Sequence, residues 1–309
     1  NLGLAIIDEQ QRFGVEQRKK LMISKGLIPH QLVMTATPIP RTTALAIYGD
    51  LELSIINEMP PGRKKINSKV LSGGKRESSK VFSIAHDHLE KKSQIFVVCP
   101  YIEESENSDI KAAEKVYELY KSEFSTYNVA LLHGKMKPDE KENKMLKMKN
   151  GEIDIMVSTV VIEVGIDITN ATLMIIESAE RFGLNQLHQL RGRVGRGEKQ
   201  SECIFHITEG KSFSKITKDG QERLNAIEHN DDGFKLSELD LQIRGEGKVT
   251  GTSQSGLSDL KIANLRTDYE ILETSKEYFT TIEDEEIKSE LFLEANLLFP
   301  NFGKTKDST

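Results

Sequence analysis

Tryptophan is absent from this 309-residue chain, and cysteine occurs only twice. Cys99 and Cys203 lie far apart in apolar runs, with no CxxC or CxxH neighbour. That pattern excludes a disulfide framework, and both read as reduced core thiols in a cytoplasmic setting. No stretch of 18 apolar residues occurs, so no membrane span is expected. No signal peptide is visible. The chain opens on Asn-Leu-Gly inside a strand-like run rather than on Met, which points to a piece of a longer protein. The phosphate-cradling pattern GxxxxGK followed by Ser or Thr is missing too. Its nearest approach, the GKS at Gly210–Ser212, has Phe205 where the first glycine belongs. The chain therefore has no loop of its own for a triphosphate. Strong positive charge is also lacking: the net charge is −6 and the pI about 5.8. A broad polyanion binder is disfavoured, and a local basic groove stays open.

What is present starts with LGLAIIDE, residues 2–9, an apolar run ending in two acids. Strands buried on both faces of a parallel sheet read this way. Ligands in such sheets bind beyond the carboxyl ends of the strands. Asp8 and Glu9 thus stand where a nucleotide and its metal would be. Magnesium takes oxygen ligands and keeps most of its waters. One acid near the metal and one near an attacking water is a reasonable division of labour. Taken alone, a strand end with solvated acids is an equally open reading.

The second focus is QLRGRVGRG, residues 189–197. Read as a helix, Gln189, Arg193 and Arg196 fall at i, i+4 and i+7 on one face, while Leu187, Leu190 and Val194 form an apolar face. Gly192 and Gly195 would then sit inside the helix at roughly 1 kcal/mol each relative to Ala. Such a helix suits the close approach of an anion, because arginine offers a planar fork of donors. A solvated basic helix end is the plain alternative for an isolated R-x-x-R.

Between and around these stretches, strand and helix alternate. Strands are predicted at 30–35, 94–100, 128–134, 154–161, 171–178 and 201–208, and helices at 16–25, 42–48, 77–91, 111–124 and 137–151. The last of these has Pro near its start and Gly at its end. MPPGRKK, 59–65, reads as a linker, and the acidic 103–109 segment as a solvated loop. Beyond about 210 the pattern becomes helical, at 215–229 and 266–281, around the glycine-rich RGEGKVTGTSQSG at 244–256. The whole is a parallel α/β sheet with helices on both faces, followed by a helical C-terminal extension.

Several blocks resemble the motifs of superfamily-two helicases. LGLAIIDEQQRFG resembles the DExx box, TATPIPRT motif III, STVVIEVGID motif V and QLRGRVGRG motif VI. More narrowly, DEQQRFGVEQR, PHQLVMTATPIPRT, CPYIEESE and LLHGKMKPDEK are similar to the RecG family of ATP-dependent DNA helicases, which remodel stalled forks and Holliday junctions. The resemblance implies a RecA-like P-loop NTPase fold. Residues 1–62 would be the C-terminal part of a truncated first motor domain, 63–210 a complete second motor domain, and 211–309 a TRG-motif and helical region. ATP and Mg2+ are the implied cofactors, and branched double-stranded DNA the implied partner of a protein expected to be monomeric. Asp8 would hold magnesium and Glu9 the attacking water. Arg193 and Arg196 would be arginine fingers beside Gln189, with Gly165 and Asp167 at the nucleotide. Thr35, Thr37, His133, Arg244 and Gln254 would couple hydrolysis to DNA. Glu246 and Ser253 stand where the family more often has Pro and Arg, and Gln11 where it commonly has His. A coupling-factor-like translocase and a non-catalytic DNA- or partner-binding module are the competing readings.

Overall fold

The structure is a computed structural model that describes residues 3–9, 29–35, 54–56, 58, 62, 64–100, 106–159, 167–244 and 269–298. The helices expected at 16–25 and 42–48 and most of the glycine-rich 244–256 stretch lie outside them. The chain divides into two compact units, residues 1–38 and 39–309.

In the first unit, β1 (Leu4–Asp8) pairs in parallel with β2 (His30–Met34), with Asp8 opposite Met34. Burial alternates along β1: Ala5 and Ile7 are buried, whereas Leu4 and Ile6 are exposed. The expectation of a strand buried on both faces is therefore corrected. Side chains of a strand point alternately to its two faces, and here only one face is covered.

The second unit is built on six parallel strands: β3 (Asn67–Leu71), β4 (Gln94–Cys99), β5 (Val129–Leu132), β6 (Ile155–Thr159), β7 (Ala171–Glu177) and β8 (Glu202–His206). Their order is β3-β8-β7-β4-β6-β5, so β4 and β7 lie at the centre. Every residue of β4 is buried, as a strand covered on both faces requires. Alternate residues feed two cores. Ile95, Val97 and Cys99 face α1 (Lys75–Glu90) and α2 (Glu106–Glu123), packing on Val81, Ala85, Tyr120 and Phe124. Phe96 and Val98 face the opposite core with Met145 and Met148 of α3 (Pro138–Lys149), and Leu184, Leu187 and Leu190 of α4 (Leu184–Arg191). That core also takes in α5 (Lys218–His229) and α6 (Gly233–Arg244) through Leu224, Ile227 and Leu236.

Helix boundaries follow local chemistry. α3 begins with Pro138 at its first turn, the Glu140 carboxylate accepts the Lys137 N–H at 3.3 Å, and Gly151 leaves it at φ +76°. The acidic segment read as a loop is helical from Glu106, because acids in a first turn are favoured by the helix dipole. α6 was not foreseen, although Leu236, Leu239 and Ile243 sit at i, i+3 and i+7. C-terminal to it stand α7 (Tyr269–Thr281) and α8 (Glu285–Leu298).

Candidate functional site

Asp8 is the last residue of β1, and Glu9 follows with a left-handed φ of +51°. Non-glycine residues pay about 1–2 kcal/mol for that conformation. The turn is closed by the Glu9 N–H, which donates to Asp8 Oδ1 at 2.9 Å. Thr35 follows β2 directly, so in the parallel register it stands at the same carboxyl edge as Glu9. Two acids and a threonine thus share one strand-end rim. Among the described residues no three His, Cys, Asp or Glu side chains converge on a metal position. A cation here would rely on Asp8, water and ligand oxygens, which is the coordination magnesium favours.

The arginine stretch differs from the single helix expected. α4 ends at Arg191, and Gly192 is its C-cap, donating to His188 O at 3.0 Å. Arg193 and Val194 then form tighter turns, donating to Leu190 O at 3.0 Å and Arg191 O at 3.4 Å. Gly195 reverses the chain at φ +77°. The glycines are therefore helix-ending residues rather than interior ones, as glycine chemistry at C-termini favours. Gln189, Arg193 and Arg196 consequently share no helix face. The apolar prediction holds, since Leu187, Leu190 and Val194 are all buried. Gly197 also has a geometric reason: a Cβ there would meet Thr169 O at 2.5 Å.

This path brings Arg196 to Asp167, with Nη1 and Oδ1 3.3 Å apart. Both side chains stay solvent-accessible, at 36% and 54%, so the pair holds a guanidinium in place without sealing it off. A third arginine, Arg191, serves the fold. It lies 3% exposed, on the same helix face as Leu184 and Leu187. Nη1 donates to Ile227 O at 2.9 Å and Asn230 O at 2.8 Å, and Nη2 to His188 Nδ1 at 2.9 Å. These carbonyls end α5, where a helix has acceptors without internal partners. Arg191 therefore clamps α4 to α5, which leaves Arg193 and Arg196 as the arginines on the exit path.

His133 follows β5. Its Nδ1 is buried without a hydrogen-bond partner among the described residues. Burial lowers its pKa, and Lys144 adds to the effect. Lys141 Nζ and Lys144 Nζ tie down the loop by donating to Gly134 O and Leu131 O, each at 2.6 Å. Arg244 closes α6. Thr37, Gly165 and Gln254 lie outside the described residues.

A buried polar network, also unforeseen, occupies the carboxyl ends of β7 and β8. His206 Nδ1 lies 2.6 Å from Glu177 Oε2, Tyr120 OH donates to Glu177 Oε1 at 3.2 Å, and Ser78 Oγ lies 3.3 Å from His206 Nε2. Burial pulls the His206 pKa down, but the hydrogen bond and charge of Glu177 outweigh it and the net shift is upward. Folding therefore gains from protonated His206 below the ordinary histidine pKa, and the gain disappears as pH rises through the raised value. His206→Gln should cost about 2 kcal/mol near pH 6. Its Tm deficit against the parent chain should shrink as pH is raised to 9. A deficit that stays constant across thermal melts from pH 5.5 to 9 would refute the assignment.

Comparison with known proteins finds similar chains over most of these residues. The Helicase conserved C-terminal domain family matches residues 78–198. The family described as ATP-dependent DNA helicase RecG, domain 3, C-terminal matches residues 230–306. An ATP-dependent DNA helicase RecG from Synechocystis sp. is 46% identical over 300 residues, covering 96% of this chain and 35% of that protein. A solved structure of RecG bound to a three-way DNA junction matches with TM-score 0.66 and 42% identity, over 88% of this chain and 34% of that one. The Mycobacterium smegmatis helicase Lhr, solved with ssDNA and AMP-PNP, matches with TM-score 0.52 over 74% of this chain and 31% of its own. Its 16% identity speaks for the fold alone. The chain spans about a third of the length of the RecG proteins it matches. Sequence and fold together make this chain a homologue of the C-terminal part of the RecG helicases.

Proposed function

We propose that this chain supplies the acid strand and the arginine side of an ATP-hydrolysing motor, in a protein that acts as an ATP-dependent helicase on branched DNA such as forks and Holliday junctions. The observation that carries the reading is the Arg196–Asp167 pair at 3.3 Å, which joins the two motif-like segments given to the nucleotide. Magnesium, when bound, would neutralise charge on the nucleotide phosphates. Asp8 would hold the ion, and Glu9 would orient the attacking water and accept its proton. Arg193 and Arg196 direct their donors at the γ-phosphate oxygens as charge develops there. Gln189, Gly165 and Asp167 complete the nucleotide contacts on that side.

On the DNA side, Thr35 and Thr37 relay the state of the ATP site. His133, with the lysines around its loop, meets the phosphate backbone. Arg244 and Gln254 couple hydrolysis to translocation along the duplex. The protein works as a monomer in the cytoplasm. Fork regression by the full-length protein tests the substrate. Displacement of stalled RNA polymerase in place of fork regression would support the coupling-factor reading instead.

The 309-residue chain by itself should release no phosphate from ATP and magnesium, since it has no GxxxxGK loop to hold the triphosphate. A colourimetric phosphate assay on the purified chain checks this. Turnover above the no-enzyme rate would sink the idea that hydrolysis needs a GxxxxGK loop.

A further inference from the structure

Residues 195–200 run from α4 to β8 in neither helix nor strand. Their course is set by contacts with residues distant in sequence, and three of these follow one another. Arg196 Nη1 lies 3.3 Å from Asp167 Oδ1. Gly197 runs so close to Thr169 that a Cβ would meet its carbonyl oxygen at 2.5 Å. Lys199 Nζ donates to Asn170 Oδ1 at 3.1 Å. Segments 196–199 and 167–170 are therefore joined in step, in the same direction.

The last contact is the most heavily built. Lys199 Nζ also approaches Lys91 O at 3.1 Å, Lys92 O at 3.4 Å and Ser93 Oγ at 3.1 Å. Lys91 is the C-cap of α1, where carbonyls lack helical partners and the dipole favours a cation. Lys92 turns the chain there at φ +52°. Asn170 is itself fixed: its Nδ2 donates to Lys92 O at 3.0 Å, and its carbonyl accepts the N–H of Gln94, the first residue of β4, at 2.9 Å. Four oxygens thus converge on one ammonium, which has three N–H groups to share among them. None is left over for a phosphate.

We propose that Lys199 is a positioning residue for Arg196. Its ammonium locks 196–199 against 167–170 and the end of α1, and so sets where the Arg196 guanidinium stands. An ion pair as exposed as Arg196–Asp167 contributes little by itself. The backbone beneath the arginine must therefore be held by something else if its donors are to arrive in register. The inference rests on the reading that Arg196 serves the nucleotide. It adds that a residue making no contact with the nucleotide sets the aim of that arginine.

The test uses the full-length protein, with magnesium and DNA, and reads single turnovers of ATP under excess protein so that slow rates stay measurable. Lys199→Met keeps most of the stem and removes the donors. It should lower kcat by about tenfold to a hundredfold, the scale of a small misplacement. KM for ATP should stay within about twofold, as for a contact made only in the transition state. The melting temperature should barely move, because an exposed ammonium contributes little to the fold. Asn170→Ala should give a milder loss of the same kind, approached from the other side of the contact. The decisive arm is the pair: in an Arg196→Ala background, Lys199→Met should change the rate by less than about twofold, since residues acting through one group are non-additive. Equal loss from Lys199→Met in both backgrounds would overturn the proposal, and so would a parent-like kcat in Lys199→Met while Arg196→Ala is inactive. A fall in melting temperature that accounts for the lost turnover would make Lys199 a fold residue only. Full turnover by Arg196→Ala would instead remove the reading of Arg196 and this inference with it.

Discussion

Arg196→Ala in the full-length protein should lower ATP turnover by about 10³- to 10⁵-fold, the range an arginine finger contributes to phosphoryl transfer. A thousandfold loss corresponds to roughly 4 kcal/mol of transition-state stabilisation. Stability should barely change. Arg196 and Asp167 are 36% and 54% exposed, and ion pairs of that kind contribute about 0–1 kcal/mol. The prediction is thus a dissociation: activity collapses while the thermal melt stays put. Arg196→Lys should recover little, because a single ammonium cannot offer the planar fork that two phosphate oxygens accept. Asp167→Asn should produce a milder defect, since it loosens the guanidinium without removing it. Steady-state phosphate release with magnesium and DNA, measured beside a melting curve, reads all three. Unimpaired turnover by Arg196→Ala would remove Arg196 from the mechanism and reduce its pairing with Asp167 to a surface contact.

The sheet was legible because its central strands are unbroken apolar runs. QIFVVC and ATLMIIE can be satisfied only by cover on both faces, and α1 and α2 on one side and α3 to α6 on the other provide it. Helix ends were legible where Pro or Gly marked them, as at Pro138 and Gly151. They were misread where a glycine fell between residues that kept helical spacing. Gln189, Arg193 and Arg196 fit i, i+4 and i+7, yet Gly192 ends the helix and Gly195 turns the chain. Spacing reports what a helix would do if it continued; it does not say where the backbone stops continuing.

The candidate site divides along the same line. Resemblance assigned Asp167 and Arg196 to the nucleotide, and their approach to 3.3 Å follows from the turn at Gly195, which no spacing rule contains. The Ser78–His206–Glu177–Tyr120 network could not be read from sequence at all. Its members come from α1, β8, β7 and α2, and only the adjacency of β7 and β8 together with α1 and α2 on the covering face unites them. Arg191 had a usable signal. It stands at i+7 from Leu184 and i+4 from Leu187, on a face that must bury. A charged residue in that position demands acceptors, so it ranks as a structural residue before it ranks as a finger.

That distinction yields the second large effect. Arg191→Met should destabilise the chain by about 3 kcal/mol, the order expected for losing hydrogen bonds from a charged donor to buried acceptors. Methionine fills much of the volume but donates nothing. The carbonyls of Ile227 and Asn230, now bonded at 2.9 and 2.8 Å, would lose their donor at the end of α5. Unmade hydrogen bonds to buried acceptors carry the full desolvation penalty. The expected fall in Tm is roughly 6–12 °C for a unit of this size. Arg191→Lys should fall between, because one amino group cannot reach Ile227 O, Asn230 O and His188 Nδ1 in the fork geometry that now serves all three. The consequence for activity separates Arg191 from its neighbours. The 192–197 path leaves α4 at Arg191, so loosening the α4–α5 clamp should let Arg193 and Arg196 drift. In the full-length protein, turnover should then fall together with Tm, and a lower assay temperature should restore part of it. Arg196→Ala should show neither the Tm loss nor the recovery. If Arg191→Met melts with the parent chain, the carbonyl clamp contributes nothing to the fold, and the division between a structural arginine and two arginines facing the nucleotide fails.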